Sequence, residues 1–230
     1  GPYADKKAYD LLIQAESGLC AGTGSQEAPA RVGVSICDIA TGATAFAAIL
    51  RALILRAKTG RGQDVAGSMY DLMADWMSVP FLFERHLGAA PARVGVAHAS
   101  LAPYGLYRAA AGEEILIAVQ NDREWAALCT RILERPDLVD DPRFRGNTER
   151  VAHREALRQV IEAAFGRHRR DALIERLNAA GIACARLNSV ADRARHPHLR
   201  QRRVSVGDTE IDLAALPVRT AGRARRVPAL

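Results

Sequence analysis

Residues 39–57 constrain this chain more than any other stretch, because they are dense in Ala, Ile and Leu and hold a single glycine, Gly42. A run so rich in strong helix formers predicts one long helix. Arg51, Arg56 and Lys58 gather toward its end, where cations suit the negative helix terminus, and Gly60 stands at the C′ position that stops it. At the other end the apolar segment Val34-Ser35-Ile36-Cys37 runs into Asp38, which reads as the N-cap. A carboxylate there meets unpaired N–H groups and a positive dipole end, worth about 0.3 to 1 kcal/mol. Spacing leaves Asp38 two roles: a cap alone, or an ionised carboxylate that attacks a carbonyl carbon once freed from water.

The whole chain, at 230 residues, suffices for one large domain or two modest ones. Leu11, Leu12, Ala15 and Leu19 give residues 9–19 a helical spacing, which Gly18, Gly22 and Gly24 then break. Residues 31–36 read as a short strand or an extended entry segment, and 64–67 as a short strand. Ser68, with Asp71 three residues on, opens a helix through about Leu87 whose apolar side is Met69, Leu72, Met73, Trp76, Met77 and Val79. Residues 88–92 mix Gly, Ala and Pro, and mark a domain boundary.

Beyond that boundary the chain is more β-like. Residues 104–108 and 115–120 read as a hairpin, and Asn121 or Asp122 caps a helix through Leu133. Asn147 caps another helix, with Val151, Leu157, Val160, Ile161, Ala164 and Phe165 on its apolar face. Residues 171–180 repeat the pattern until Gly181, and a strand covers 182–187. The tail from Val190 has an Arg-rich helical piece, a Gly207-Asp208 hairpin turn, and an extended end at Pro217 and Pro228.

Composition narrows the function classes. Hydrophobic residues at 49% and charged residues at 25% are ordinary globular values. The longest apolar stretches, such as 43–50 and 115–119, fall short of the roughly 20 residues that span a bilayer, so no membrane segment is expected. The opening Gly1-Pro2-Tyr3 has no basic or apolar signal region. Cys20, Cys37, Cys129 and Cys184 are scattered without Cys-x-x-Cys or clustered His, which predicts reduced thiols in a cytoplasm and no metal site. The net charge of +6 suits an anionic partner, a polyphosphate cofactor or nucleic acid. Basic clusters at 167–170, 200–203 and 223–226 lack the interleaved aromatics of a nucleic-acid surface and read as solvated faces.

One set of motifs resembles a known family. Tyr3-Ala4-Asp5-Lys6-Lys7-Ala8-Tyr9-Asp10, then Asp38 followed by Gly42, then Lys58-Thr59-Gly60-Arg61-Gly62-Gln63-Asp64-Val65 and Ser68-Met69-Tyr70-Asp71 resemble the family III CoA-transferases. Ala102-Pro103-Tyr104-Gly105, Asn121-Asp122-Arg123-Glu124-Trp125, Asp141-Pro142-Arg143-Phe144 and His196-Pro197-His198-Leu199 extend the resemblance nearly end to end. It implies that Asp38 attacks a donor acyl-CoA to give a mixed anhydride, then carries CoA as an aspartyl thioester to an incoming carboxylate. No tightly bound cofactor is implied, with coenzyme A serving as substrate. Lys7, Tyr9 and Met69 match CoA-contacting or active-centre positions, and Asp10 an acidic neighbour on the substrate side. For Met69 and Tyr9 core packing is the alternative, and for Lys7 a surface lysine.

Two departures refine the expectation. Tyr9 stands where the α-methylacyl-CoA racemases of this superfamily carry a His, which removes one base of a proton-shuttling pair. Gly95-Val96-Ala97-His98-Ala99-Ser100 replaces a glycine run and is more similar to transferases for C4 to C5 dicarboxylates such as mesaconate, malate or citramalate. His98 then donates to a substrate carboxylate, or is an exposed linker histidine. The implied fold is α/β: part of a Rossmann-like large domain over 1–88, a linker over 89–101, a small α+β domain over 102–190 and a tail over 191–230. The family's opening strands, which carry most nucleotide contacts, have no match here, so weak CoA binding by this chain alone is expected. The resemblance also implies an interlocked homodimer. Rival readings are a racemase-like isomerase, or a non-catalytic fragment or interaction module.

Overall fold

The computed structural model describes residues 2–218. Its first five helices are α1 (Asp10–Glu16), α2 (Leu19–Gly22), α3 (Ile36–Thr59), α4 (Met69–Trp76) and α5 (Ser78–Leu87). Helix α3 is the long helix expected from composition, and it ends as anticipated: Gly60 is left-handed (φ 70°) and its N–H bonds the Arg56 carbonyl. Its start is different. The helix opens at Ile36 with Ser35 in the cap position, so Asp38 is its third residue rather than its N-cap, and the Ser35 side chain makes no capping bond. The acceptor is supplied from another helix instead.

The single helix expected from Ser68 to Leu87 is two. Its start holds, since the Ser68 hydroxyl accepts from Asp71 N–H at 3.0 Å. Pro80 breaks the continuation: it offers no N–H, and in an unbroken helix its ring would meet the carbonyl of Trp76, four residues back. The chain resets at Met77 and restarts with Pro80 in the first turn of α5, where a missing N–H costs little.

Neither 31–36 nor 64–67 forms a strand, and among the described residues the first strand begins at Tyr104. An extended segment becomes a strand only where a neighbour takes its N–H and C=O groups, and no adjacent strand supplies them here. Helix α1 also buries a different face. Ile13 and Gln14 turn inward, whereas Leu11 and Leu12 each remain 48% exposed. On the next pair of helices Met73 is buried, but Trp76 and Val79 are exposed.

The sheet-bearing part agrees closely with its sequence pattern. Strand β1 (Tyr104–Arg108) pairs antiparallel with β2 (Glu114–Ala118), with Leu106 opposite Leu116, and β3 (Ala183–Arg186) lies on the far side of β2. Asn121 caps α6 (Asp122–Ala127) by accepting from Glu124 N–H at 3.0 Å, and a π-helical turn over Leu128–Ile132 carries the chain on. The single helix expected from Asn147 is two, α7 (Asn147–Ala152) and α8 (Arg154–Phe165), divided at His153, which leaves helical geometry (φ -108°, ψ 32°), and α9 (Arg170–Ala179) completes the layer. Trp125, Phe144, Ile115, Ile117, Leu157, Ile161, Phe165, Leu173 and Leu177 fill its core. Asn147 is not the cap: Gly146 occupies that position, and the Asn147 amide bonds Ala102 N–H and the Ser100 carbonyl instead.

The chain divides into two compact units, one ending at Ala185 and one beginning at Arg186. In the second, Ser189 and Asp192 form a capping box on α10 (Val190–Ala194). Strands β4 (Gln201–Val206) and β5 (Thr209–Ala214) pair through a two-residue turn with Gly207 at φ 59°. Pro228 and the basic cluster at 223–226 lie outside the described residues.

Helix α3 has a further property that counting uninterrupted apolar runs overlooks. At 24 residues and mean hydropathy 1.6 it is long and apolar enough to cross a membrane, because its polar residues interrupt the run without lowering the mean enough. Arg51, well inside it, opposes that use, since a cation deep in a bilayer costs about 2.5–3.5 kcal/mol or more.

Candidate active site

The starts of α1, α3 and α4 converge. Helix α1 packs on both of the others, and these pack on each other. A small core of Ile13, Cys37, Ala40 and Met73 locks the three together, with Ile36, Met69 and Leu72 against it. Hydrogen bonds through two side chains of α1 surround this core on its polar side. Asp10 Oδ2 accepts from the backbone N–H of Cys37 at 2.8 Å and of Asp38 at 3.2 Å. Gln14 Nε2 donates to Asp10 Oδ1 at 2.6 Å, and Val32 N–H donates to Gln14 Oε1 at 2.9 Å. One turn of α1 therefore holds both ends of the segment that leads into α3.

The electrostatics arise from these contacts. Burial alone would raise the Asp10 carboxyl, but the bonds from Gln14 and from the Asp38 and Cys37 amides, with the charge of Arg31, outweigh it and hold the group below its ordinary value. Next door, burial pushes the Cys37 thiol up, and the negative charges of Asp10 and Asp38 push it further. Cys37 is thus held as a thiol and kept from acting as a nucleophile. Asp38 itself projects from the first turn of α3 and is exposed.

Of the other expected site residues, Tyr9 occupies the cap position of α1 and is exposed, and Lys7, two residues earlier, is exposed as well. Met69 is the first residue of α4, half-buried against the small core beside Cys37. The structure thus brings Asp10, Asp38 and Met69 to one place. His98 has its own setting. Its ring stacks on Tyr104 at 5.2 Å, and Ser100 N–H donates to its Nδ1 at 3.2 Å, which leaves the proton of a neutral ring on Nε2. A cavity of about 650 Å³ runs past it, bordered by Gly18, Gly22, Met77, Phe81 and Pro91.

Several residues that build this region were not singled out in the sequence. Arg154 donates to the carbonyls of His98 and Ala99 at 2.9 and 3.0 Å. Arg93 gathers three carbonyls, of Ser25, Ala21 and Gln26, at 2.8–3.2 Å, and Gly95 N–H bonds the Gly24 carbonyl. Buried Arg150 donates to the carbonyls of Ala102 and Phe144 and to Asp122. Arginines that bind backbone carbonyls leave no sequence pattern, because the acceptor is present at every residue. Gln14 had one weak signal: a lone amide in the midst of an apolar helix turn.

Fold and site together define a mixed helical and sheet protein with an exposed carboxylate in the first turn of its longest helix. Over residues 1–229 the chain matches, and it belongs to, CoA-transferase family III. It is 31% identical over 224 residues to an acetyl-CoA:oxalate CoA-transferase of Acetobacter aceti, covering 96% of this chain and 57% of the relative. A succinate–glutarate CoA-transferase of Agrobacterium fabrum is also 31% identical, over 96% of this chain and 55% of its own length. The chain therefore spans just over half the length of these relatives. Among solved structures, a CAIB/BAIF family protein from Brucella suis superposes with a TM-score of 0.77 at 32% identity, covering 96% of this chain and 58% of that one. Rv3272 of M. tuberculosis gives 0.82 at 24% identity over 96% and 59%, a likeness of fold alone.

Proposed function

We propose that the whole protein transfers coenzyme A from an acyl-CoA to a small dicarboxylic acid, with Asp38 as the nucleophile. The observation that carries this reading is an exposed carboxylate in the first turn of α3, in a member of CoA-transferase family III. A carboxylate oxygen of Asp38 attacks the thioester carbonyl and expels CoA thiolate, leaving a mixed anhydride. The thiolate then attacks the Asp38 carbonyl carbon and releases the donor acid, giving an aspartyl-CoA thioester. The acceptor carboxylate reverses both steps and leaves as its CoA thioester. Each hard exchange is split into two easier ones: the mixed anhydride keeps the acyl group activated, and after the donor acid leaves, the thioester keeps the Asp38 carbonyl activated.

Lys7, Tyr9 and Met69 contact the coenzyme in this reading, with Asp10 on the acidic side of the centre. His98 donates from Nε2 to a free carboxylate of the acceptor. Relatives named for oxalate, glutarate, mesaconate and citramalate support a dicarboxylic acceptor. Tyr9 at the cap of α1, where the racemases carry a base, favours transfer over isomerisation.

The same reading makes residues 1–88 part of a Rossmann-like domain, 89–101 a linker and 102–190 a small domain, in a cytoplasmic homodimer. Two separate hydrophobic clusters, one among residues 13–73 and one among 102–182, support a division near the linker. In the catalytically complete protein, Asp38→Ala abolishes transfer. Hydroxylamine inactivates the wild type only after acyl-CoA is added, because it traps the aspartyl thioester. Full transfer by Asp38→Ala would sink the mechanism.

A further inference from the structure

We infer that Asp10 is a positioning residue for Asp38, acting by binding the backbone of the nucleophile rather than by touching substrate. The inference rests on Asp38 being the nucleophile, but the geometry behind it is independent of the chemistry. Both Asp10 oxygens are occupied by protein donors: Oδ2 by the Cys37 and Asp38 amides, Oδ1 by Gln14. Those amides belong to the first turn of α3, whose own cap residue, Ser35, supplies no side-chain acceptor. The capping oxygen thus reaches Asp38 from 28 residues away in sequence.

A long-range cap does what a local one cannot. A cap bond from the hydroxyl of Ser35 itself, which is not made, would move with α3, whereas Asp10 ties that turn to α1. Gln14 extends the tie by accepting from Val32 N–H, so the segment is held at both ends. Tyr9, at the cap of α1, and Met69, packed beside Cys37, are thereby kept in register with Asp38. Holding a nucleophile within a fraction of an ångström matters, because a displacement near 1 Å costs about 100-fold in rate.

The test compares Asp10→Ala with Asp10→Asn. Asparagine keeps an acceptor oxygen for the two amides and caps about as well as aspartate, but it has no charge and no base, and it gives up the oxygen that accepts from Gln14. In the catalytically complete protein, Asp10→Ala should lower kcat about 100-fold with KM for acyl-CoA within about twofold, and Asp10→Asn should restore most of it. Amide hydrogen exchange reads the tie without any chemistry. The Cys37 and Asp38 amides should exchange roughly tenfold faster in Asp10→Ala, and near the wild-type rate in Asp10→Asn.

A raised KM with unchanged kcat would make Asp10 a substrate contact and overturn the inference. So would unchanged exchange at both amides in Asp10→Ala, or an Asp10→Asn enzyme as inactive as Asp10→Ala although its two amides exchange at the wild-type rate. Transfer surviving in Asp38→Ala is a separate failure, of the nucleophile reading, and leaves the exchange result to decide whether Asp10 holds the turn.

Discussion

Gln14 shows how a single buried amide organises the neighbourhood of Asp38. It is fully buried, and its two polar atoms join Asp10 to the backbone of Val32. Gln14→Leu keeps the volume but strands the Val32 amide and removes a donor from Asp10. We expect a loss of about 1–3 kcal/mol in unfolding free energy, read by urea denaturation. Asp10 adds a pH dependence of defined sign. Its folded carboxyl titrates below the ordinary 3.8, so the stability it contributes is present above that value and is lost as pH falls through the lowered one. Below pH 3.8 the wild type should therefore lose more stability than Asp10→Asn does, measured by thermal unfolding at a series of pH values. Little of this was legible along the chain beyond the lone amide of Gln14, since Leu11 and Leu12 look like the inner face of α1 until the packing shows Ile13 and Gln14 there.

Among the elements, those capped by their own neighbours were readable and those capped from a distance were not. Ser68 on α4 and Asn121 on α6 bind amides three residues on, a spacing visible in any sequence. The loop after α2 depends instead on a close approach. Gly24 sits at φ 117°, and a Cβ there would collide with the Ala28 carbonyl oxygen. Its own carbonyl accepts from Gly95 N–H, while Arg93 binds the carbonyls around it. Gly24→Ala should cost about 1–3 kcal/mol in thermal or urea unfolding, and should loosen residues 93–95 together with the loop in hydrogen exchange. Pro80 is the converse case: a local breaker whose effect on the 68–87 helix was available in the sequence, masked by an apolar pattern that continues across it.

For the molecule as a whole, the apolar surface is the dominant fact. Ile39, Phe46, Ile49, Leu50, Leu53, Ile54 and Leu55 of α3 are all exposed, Phe46 by 64%. A helix that is apolar on every side belongs inside a larger protein core or a membrane, and exposed patches of this kind drive association. We expect this 230-residue chain to elute as an associated species in size exclusion. Phe46→Glu with Ile54→Glu should shift it toward monomer without changing its helical circular dichroism. Co-sedimentation with lipid vesicles checks the other use of α3: retention there would favour a membrane role over burial against protein.

The sequence by itself determined a set of local decisions: a long helix stopped at Gly60, the Ser68 and Asn121 caps, the hairpin of 104–108 with the strand after it, and a motif pattern that resembles one family nearly end to end. These depend on propensity and short-range hydrogen bonding, between residues a few positions apart. Tertiary structure alone decided that Asp38 is the third residue of α3, that Asp10 caps that helix from α1, and that 31–36 and 64–67 are not strands. Each of those turns on where an acceptor or a neighbouring strand stands in space, and a backbone N–H donates to an oxygen 28 residues away as readily as to one three residues away.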